Sequence, residues 1–176
     1  MGKAAGAGPR RPRERGRPLD CHERALRLLS VRPRSRRELR DRLLRAGFDP
    51  DEVEEELGRL EAVGLLDDER FARTVAEQQL LRRGAGTRGA LAALAARGVD
   101  RYTAEGALAE VAAAEGVPDE EERALALALG RVDRLRGLRA ERAYGRLMAF
   151  LLRRGHTPEV ARDAARKALG LEASGG

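Results

Sequence analysis

The sequence predicts an all-α protein, and three observations carry that prediction. Leu, Ala, Arg and Glu, all strong helix formers, dominate the 176 residues. The residues that favour strands are scarce: Trp is absent, and the aromatic side chains are Tyr102, Tyr144, Phe48, Phe71 and Phe150. Cores must therefore be small and Leu-lined. Finally, capping residues and glycine stops recur at short intervals, with apolar residues at helical spacing between them.

Taken in order, Asp20 caps a first helix that carries Ala25, Leu26 and Leu29 on one side and ends before Pro33. Ser35 and Glu38 form a capping box, in which the Ser oxygen takes the N3 amide and the Glu reaches back to the N-cap amide. Behind it Leu39, Leu43 and Ala46 share a face, and Gly47 supplies a left-handed stop. A third helix opens on Asp49 as cap, Pro50 at N1 and Glu52 at N3. It presents Val53, Leu57 and Leu60 before Gly64 ends it.

Sliding the chain by 51 residues reproduces this grammar: Leu43 falls on Leu94, Gly47 on Gly98, Phe48 on Val99, Asp49 on Asp100, Val53 on Ala104, Leu57 on Leu108 and Leu60 on Val111. A further shift of 57 takes Leu94 to Leu151, Gly98 to Gly155, Asp100 to Thr157, Ala104 to Ala161 and Leu108 to Ala165. Matching caps, stops and faces mean one supersecondary unit used repeatedly. The expected architecture is three tandem three-helix repeats, at 20–66, 67–115 and 116–172. A unit of about 50 residues buries little alone, so the repeats should pack in series into an elongated body with room for curvature.

The net charge is +6, and its placement matters more than its size. Residues 1–19 hold six cations against one acid, whereas 20–66 and 67–115 each come to −1 and 116–176 to +3. The opening stretch, rich in Gly, Pro and Arg, lacks the apolar surface to fold and is expected to be a disordered basic tail, as is the short C-terminus 173–176. Thirty-three of the 35 cations are Arg, a skew that GC-rich coding produces without functional selection.

Several function classes are disfavoured. The single Cys21 allows no intramolecular disulfide and fits a reducing cytosol, so a cytoplasmic protein is expected. The chain has no stretch apolar enough to span a membrane and no signal-peptide h-region after its basic start. His22 and His156 lack the companions that zinc spacing demands. The run Asp51, Glu52, Glu54, Glu55 and Glu56 lies on the first turns of a helix, where acids complement the dipole and face solvent. Gly84-Ala85-Gly86 lacks the Gly-Lys-Ser/Thr of a phosphate loop, and no nucleophile–base spacing is present, so no enzymatic activity and no cofactor are expected.

Three segments go beyond generic helix grammar. The junction Gly64-Leu65-Leu66-Asp67-Asp68-Glu69-Arg70-Phe71-Ala72 places two leucines where they can plug the seam between repeats and two acids where they cap the next helix. Arg82-Arg83-Gly84-Ala85-Gly86 reads as an RRGxG turn, followed by Leu91, Leu94, Arg97, Gly98, Val99 and Asp100. The third segment is Phe150-Leu151-Leu152-Arg153-Arg154-Gly155-His156-Thr157. With these motifs the chain resembles the RecX family over about residues 22–170. The resemblance implies a regulator that lies in the helical groove of the RecA–DNA filament and restrains strand exchange, ATP hydrolysis and coprotease activity. It would thereby modulate DNA repair, homologous recombination and the SOS response.

The candidate binding residues are basic. Arg34, Arg36, Arg37, Arg40, Arg42 and Arg45 crowd the second helix, with Arg36 and Arg40 stacked one turn apart. Arg82, Arg83 and Arg88 flank the second-repeat turn, and Arg153 and Arg154 end the matching helix of the third. Arginine grips phosphates or carboxylates bidentately, which suits a filament of protein and DNA, with bare DNA bound weakly and without sequence preference. A monomer is expected. Two other readings stand beside this one. Ser35–Gly47 followed by Asp49–Val63 mimics a DNA-binding helix-turn-helix, although its recognition helix would be acidic. The other is a plain helical-repeat scaffold.

Overall fold

A computed structural model describes residues 19–171; the expectations for the basic tail and for 173–176 lie outside them, apart from Leu19. The described residues contain no strand. They form α1 (Cys21–Val31), α2 (Arg36–Arg45), α3 (Pro50–Ala62), α4 (Asp68–Glu77), α5 (Thr87–Ala95), α6 (Arg101–Ala114), α7 (Glu120–Val132), α8 (Ala140–Arg153) and α9 (Pro158–Leu169). A π-helical turn, Gln78–Arg82, extends α4, and a 3-10 turn, Asp133–Leu135, follows α7.

The caps explain where these helices begin. Asp20 and Glu23 close a full capping box on α1, and Asp67, Asp100, Asp119 and Thr157 each accept an amide in the first turn of their helix. Each such cap is worth about 1 kcal/mol. The box expected at Ser35 is half made: its oxygen accepts the Glu38 amide at 3.1 Å, but the Glu38 carboxylate turns away to Arg32. Pro50 and Pro158 occupy the first turns of α3 and α9, where a missing N–H costs nothing.

One stop recurs six times among the described residues, and Gly64, Gly116 and Gly170 make it after α3, α6 and α9. After α2, α5 and α8, a glycine at φ 93°, 79° and 82° (Gly47, Gly98 and Gly155) lets the next amide reach back five residues, from Phe48 to Leu43, Val99 to Leu94 and His156 to Leu151. This is the Schellman reversal that only glycine makes without strain.

Helices sharing a repeat pack on one another around three separate apolar clusters. The first joins Cys21, Ala25 and Leu28 to Leu39, Leu43, Val53, Leu57, Leu60 and Leu66. The buried face of α1 therefore runs 21, 25, 28, one step round from the expected face; Leu26 is left exposed and Leu29 only flanks the core. Ala46 is likewise exposed, because the chain is already turning at the end of α2. The second cluster centres on Phe71, Leu80, Leu94, Leu108 and Val111, and the third on Leu147, Phe150, Leu151 and the small face Ala161, Ala164 and Ala165 of α9. Burying each Leu contributes about 2 kcal/mol, enough for small cores but not for wide ones.

Candidate functional site

The first two bundles meet where the N-terminus of α2 abuts the second bundle. The Ser35 hydroxyl donates to the Arg97 carbonyl, the Arg36 amide donates to Asp68 Oδ1 at 2.7 Å, and the aliphatic part of Arg37 lies against Gly98. The second and third bundles meet through the equivalent pieces. The N-terminus of α5 abuts the end of α8, with the Gly86 amide donating to the Arg154 carbonyl at 3.1 Å and the Gly89 amide to the Gly155 carbonyl at 3.3 Å. Thr87 gives both its amide and its hydroxyl to Glu120 Oε2, at 3.0 and 2.7 Å. The RRGxG turn is thus a seam piece: a Cβ on Gly86, Gly89 or Gly155 would run into the facing backbone.

A buried His sits in this second seam. His156 Nε2 lies 3.0 Å from the Gly84 carbonyl, which can only accept, so Nε2 carries a proton. Nδ1 faces Glu120 Oε1 at 3.4 Å, and neither atom has a hydrogen-bond partner. Burial holds the imidazole below its ordinary pKa despite the pull of Glu120 and the Gly84 carbonyl. Glu120 is pushed up by burial, but the Thr87 hydrogen bonds and His156 outweigh this and leave it below the ordinary carboxylate value. Asp68, its counterpart at the first seam, goes the other way, raised chiefly by burial against the Arg36 amide bond.

Beside the second seam, Arg82, Arg83, Arg153 and Arg154 converge with Gln79 on a groove of about 600 Å³. Nothing in the local grammar announced this convergence, because the pairs are 71 residues apart and meet only across the seam. Arg154 is fixed: its guanidinium donates to the Arg83 carbonyl at 2.7 Å and lies 5.3 Å from the Phe150 ring, which Arg131 covers at 3.8 Å. Arg82, Arg83 and Arg153 make no ion pair among the described residues. Arg88 lies outside the groove lining, toward Glu159, whose carboxyl is held low first by its own amide, then by Thr157, with Arg88 a smaller influence.

The arginines of the first bundle are differently employed. Arg36 pairs with Glu54 at 2.8 Å and Glu61 at 2.9 Å, and Arg40 pairs with Glu54. Arg34 is buried and donates to the Leu28 carbonyl at 3.1 Å, holding the end of α1. The acidic run does not all face solvent either. Glu56 is buried beside Leu57, since α3 packs between α1 and α2, and it takes His22 Nδ1 at 2.7 Å. Of the two junction leucines only Leu66 is a core residue. Leu65 is exposed and plugs nothing, and Arg70 reaches back to the Gly64 carbonyl at 3.2 Å. Asp67 caps α4, Asp68 serves the seam, Phe71 enters the second core and Glu69 stays at the surface.

Among the described residues, no group of three or more His, Cys, Asp or Glu could hold a metal, and no helix is long and apolar enough to cross a membrane. Fold and site define a chain of three-helix bundles with a basic groove at one seam. A family model for RecX, first three-helix domain, matches residues 21–60, and one for RecX, second three-helix domain, matches 67–108. The regulatory protein RecX of Streptomyces lividans is 34% identical over 165 residues, covering 93% of this chain and 82% of that protein. That of Mycobacterium sp. (strain KMS) is 35% identical over 164 residues, covering 89% and 86%. The crystal structure of RecX from Lactobacillus salivarius superposes with a TM-score of 0.67 at 21% identity, covering 86% of this chain and 95% of that one. This chain belongs to the RecX family of regulatory proteins.

Proposed function

We propose that the protein binds the RecA–DNA filament and restrains its recombinase, ATPase and coprotease activities, without enzymatic chemistry of its own. Its repeat blocks, 20–66, 67–115 and 116–172, would act in series along several filament subunits. The observation that carries this reading is the second-seam groove, where Arg82, Arg83, Arg153 and Arg154 meet in a chain of the RecX family. Arginines without internal partners are free to take up phosphates or carboxylates of a filament. The helix-turn-helix reading is weaker, since Arg36 and Arg40 of the first element are taken up by Glu54 and Glu61, while Glu52 and Glu55 of the would-be recognition helix face outward as acids toward any phosphate backbone.

The test is RecA on single-stranded DNA. Substoichiometric protein should slow DNA-dependent ATP hydrolysis and strand exchange, because one ligand spanning several subunits acts on more than one at a time. Unchanged rates and filament lengths at equimolar protein would refute the reading.

A further inference from the structure

The two seams carry equivalent grooves that differ in charge. Along the first seam the lining includes Arg32, Pro33, Glu38, Ala96 and Arg97. The repeat shifts carry Arg32 to Arg83, Glu38 to Gly89, Ala96 to Arg153 and Arg97 to Arg154, all four of which line the groove at the second seam. In the first groove the Glu38 carboxylate grips Arg32 with both oxygens, at 2.9 and 3.2 Å, and Arg97 donates to the Ala93 carbonyl at 2.7 Å. In the second groove glycine stands in place of the carboxylate, arginine in place of Ala96, and Arg82 is added.

From this difference we infer that the second-seam groove is a site for consecutive phosphates of a single nucleic-acid strand, whereas in its twin Glu38 cancels Arg32 and leaves Arg97 as the one cation in excess. The inference rests on the proposed filament-binding reading and names what that groove holds. Arg154 is held in place by the Arg83 carbonyl and the Phe150 ring, so little side-chain freedom is lost when it takes up an anion. Arg82, Arg83 and Arg153 reach the same groove without an internal carboxylate. Guanidinium forks hold phosphate oxygens in parallel pairs, and several along one groove match the regular charges of a strand. A volume of about 600 Å³ is that of a small-molecule site and admits a strand's backbone, while a duplex is far wider. Acidic protein is the other candidate occupant, and its carboxylates have no such regular spacing.

The experiment titrates the full chain with an oligo(dT) strand across a salt series, beside a duplex of equal length and a poly-glutamate peptide. Three proteins are compared: wild type, the triple variant Arg82→Gln, Arg83→Gln, Arg153→Gln, and Glu38→Gln. The triple variant removes exposed side chains and leaves Arg154 in place, and thermal unfolding verifies its fold. It should bind oligo(dT) at least about tenfold more weakly at low salt, with the log–log salt slope reduced by about 2, since each strand phosphate contributes about 0.7. Glu38→Gln, which releases Arg32, should strengthen strand binding and steepen the slope. Equal slopes and affinities for wild type and triple variant would overturn the inference. So would a loss confined to poly-glutamate, which would make the groove a protein-binding site. Inhibition of RecA is scored on the same proteins. A groove effect on DNA without any RecA inhibition by wild type leaves this inference standing and removes the filament reading; the converse removes the inference alone.

Discussion

The two seams are built on one plan and closed by different means. At the first, side chains stand between the backbones: the Ser35 hydroxyl reaches the Arg97 carbonyl and Arg37 lies against Gly98. At the second, Gly86 and Gly89 stand in place of Ser35 and Glu38, and with Gly155 they let amide and carbonyl meet directly. One position links closure to charge. Where the first seam has Glu38, which neutralises Arg32, the second has Gly89, which both admits the α8 backbone and leaves Arg83 without a carboxylate. Tight packing and an open basic groove thus follow from the same replacement. A seam can change the charge of its groove without a change of fold.

The largest effect should come from alanine at the glycine that ends the second helix of a repeat. Gly47, Gly98 and Gly155 share a positive φ, so each substitution costs about 1 kcal/mol of backbone strain. Beyond that, the three differ. Nothing lies within 4 Å of a Cβ on Gly47, one on Gly98 meets the movable side chain of Arg37, and one on Gly155 strikes the backbone of Gly89. Urea unfolding should rank Gly155→Ala worst, by roughly 3 kcal/mol or more, then Gly98→Ala, then Gly47→Ala. Equal losses at all three would mean that the second seam gives way freely.

Next in size is the pair of acids at the first positions of α4 and α7. Glu120→Gln weakens the acceptor of two Thr87 hydrogen bonds and should lose about 1–2 kcal/mol at neutral pH. Because the folded state holds the Glu120 pKa down, its contribution is present above the ordinary carboxylate range and lost as pH falls through the depressed value. The gap between wild type and Glu120→Gln should close in acid. Asp68 has the opposite sign: burial raises its pKa, so the stability linked to it is full at low pH and lost as pH rises through the folded value. Asp68→Asn still offers an acceptor to the Arg36 amide and should be neutral or mildly stabilising at pH about 7. Equal losses for the two amide variants at neutral pH would show that the seams do not differ electrostatically.

How much of this was legible in the sequence follows from the range of each interaction. Asp20, Ser35, Asp49 and Asp100 cap helices through amides two or three residues away, and Gly47, Gly98 and Gly155 act within one turn, so caps and stops could be read directly. The all-helical class follows from them. Side-chain employment could not be read that way. Arg36 and Arg40 looked like surface cations because their partner Glu54 belongs to the next helix, and Glu56 looked solvated because His22 is 34 residues distant. The groove was half legible: the arginine pairs were visible, but their meeting depends on a seam that brings together residues 71 apart. A usable signal was present in Gly89, a glycine inside the first turn of a helix, where it weakens the helix unless another backbone needs the room.

The smallest expected effect sharpens the comparison from inside the second seam. Position 156 is His where the earlier repeats have Phe48 and Val99, so His156→Val restores the apolar residue of the second repeat. The substitution orphans the Gly84 carbonyl and removes the clash of lone pairs between Nδ1 and Glu120 Oε1, effects of opposite sign that should leave a net change of about 1 kcal/mol at neutral pH. The pH dependence is more decisive. The buried imidazole resists protonation, with Arg123 adding to the burial cost and Glu120 opposing it, so the unfolded chain takes up a proton that the folded chain refuses. Stability of the wild type should therefore fall as pH drops below the ordinary imidazole value of about 6.5, by at most about 1.4 kcal/mol per unit. His22 and its partner Glu56 are common to both proteins and cancel in the difference. Subtracting the unfolding free energies of His156→Val from those of wild type between pH about 7 and 5 isolates the seam histidine. A difference that declines toward acid places the cost of protonation at this contact, and parallel curves would show that His156 keeps its ordinary pKa in the fold.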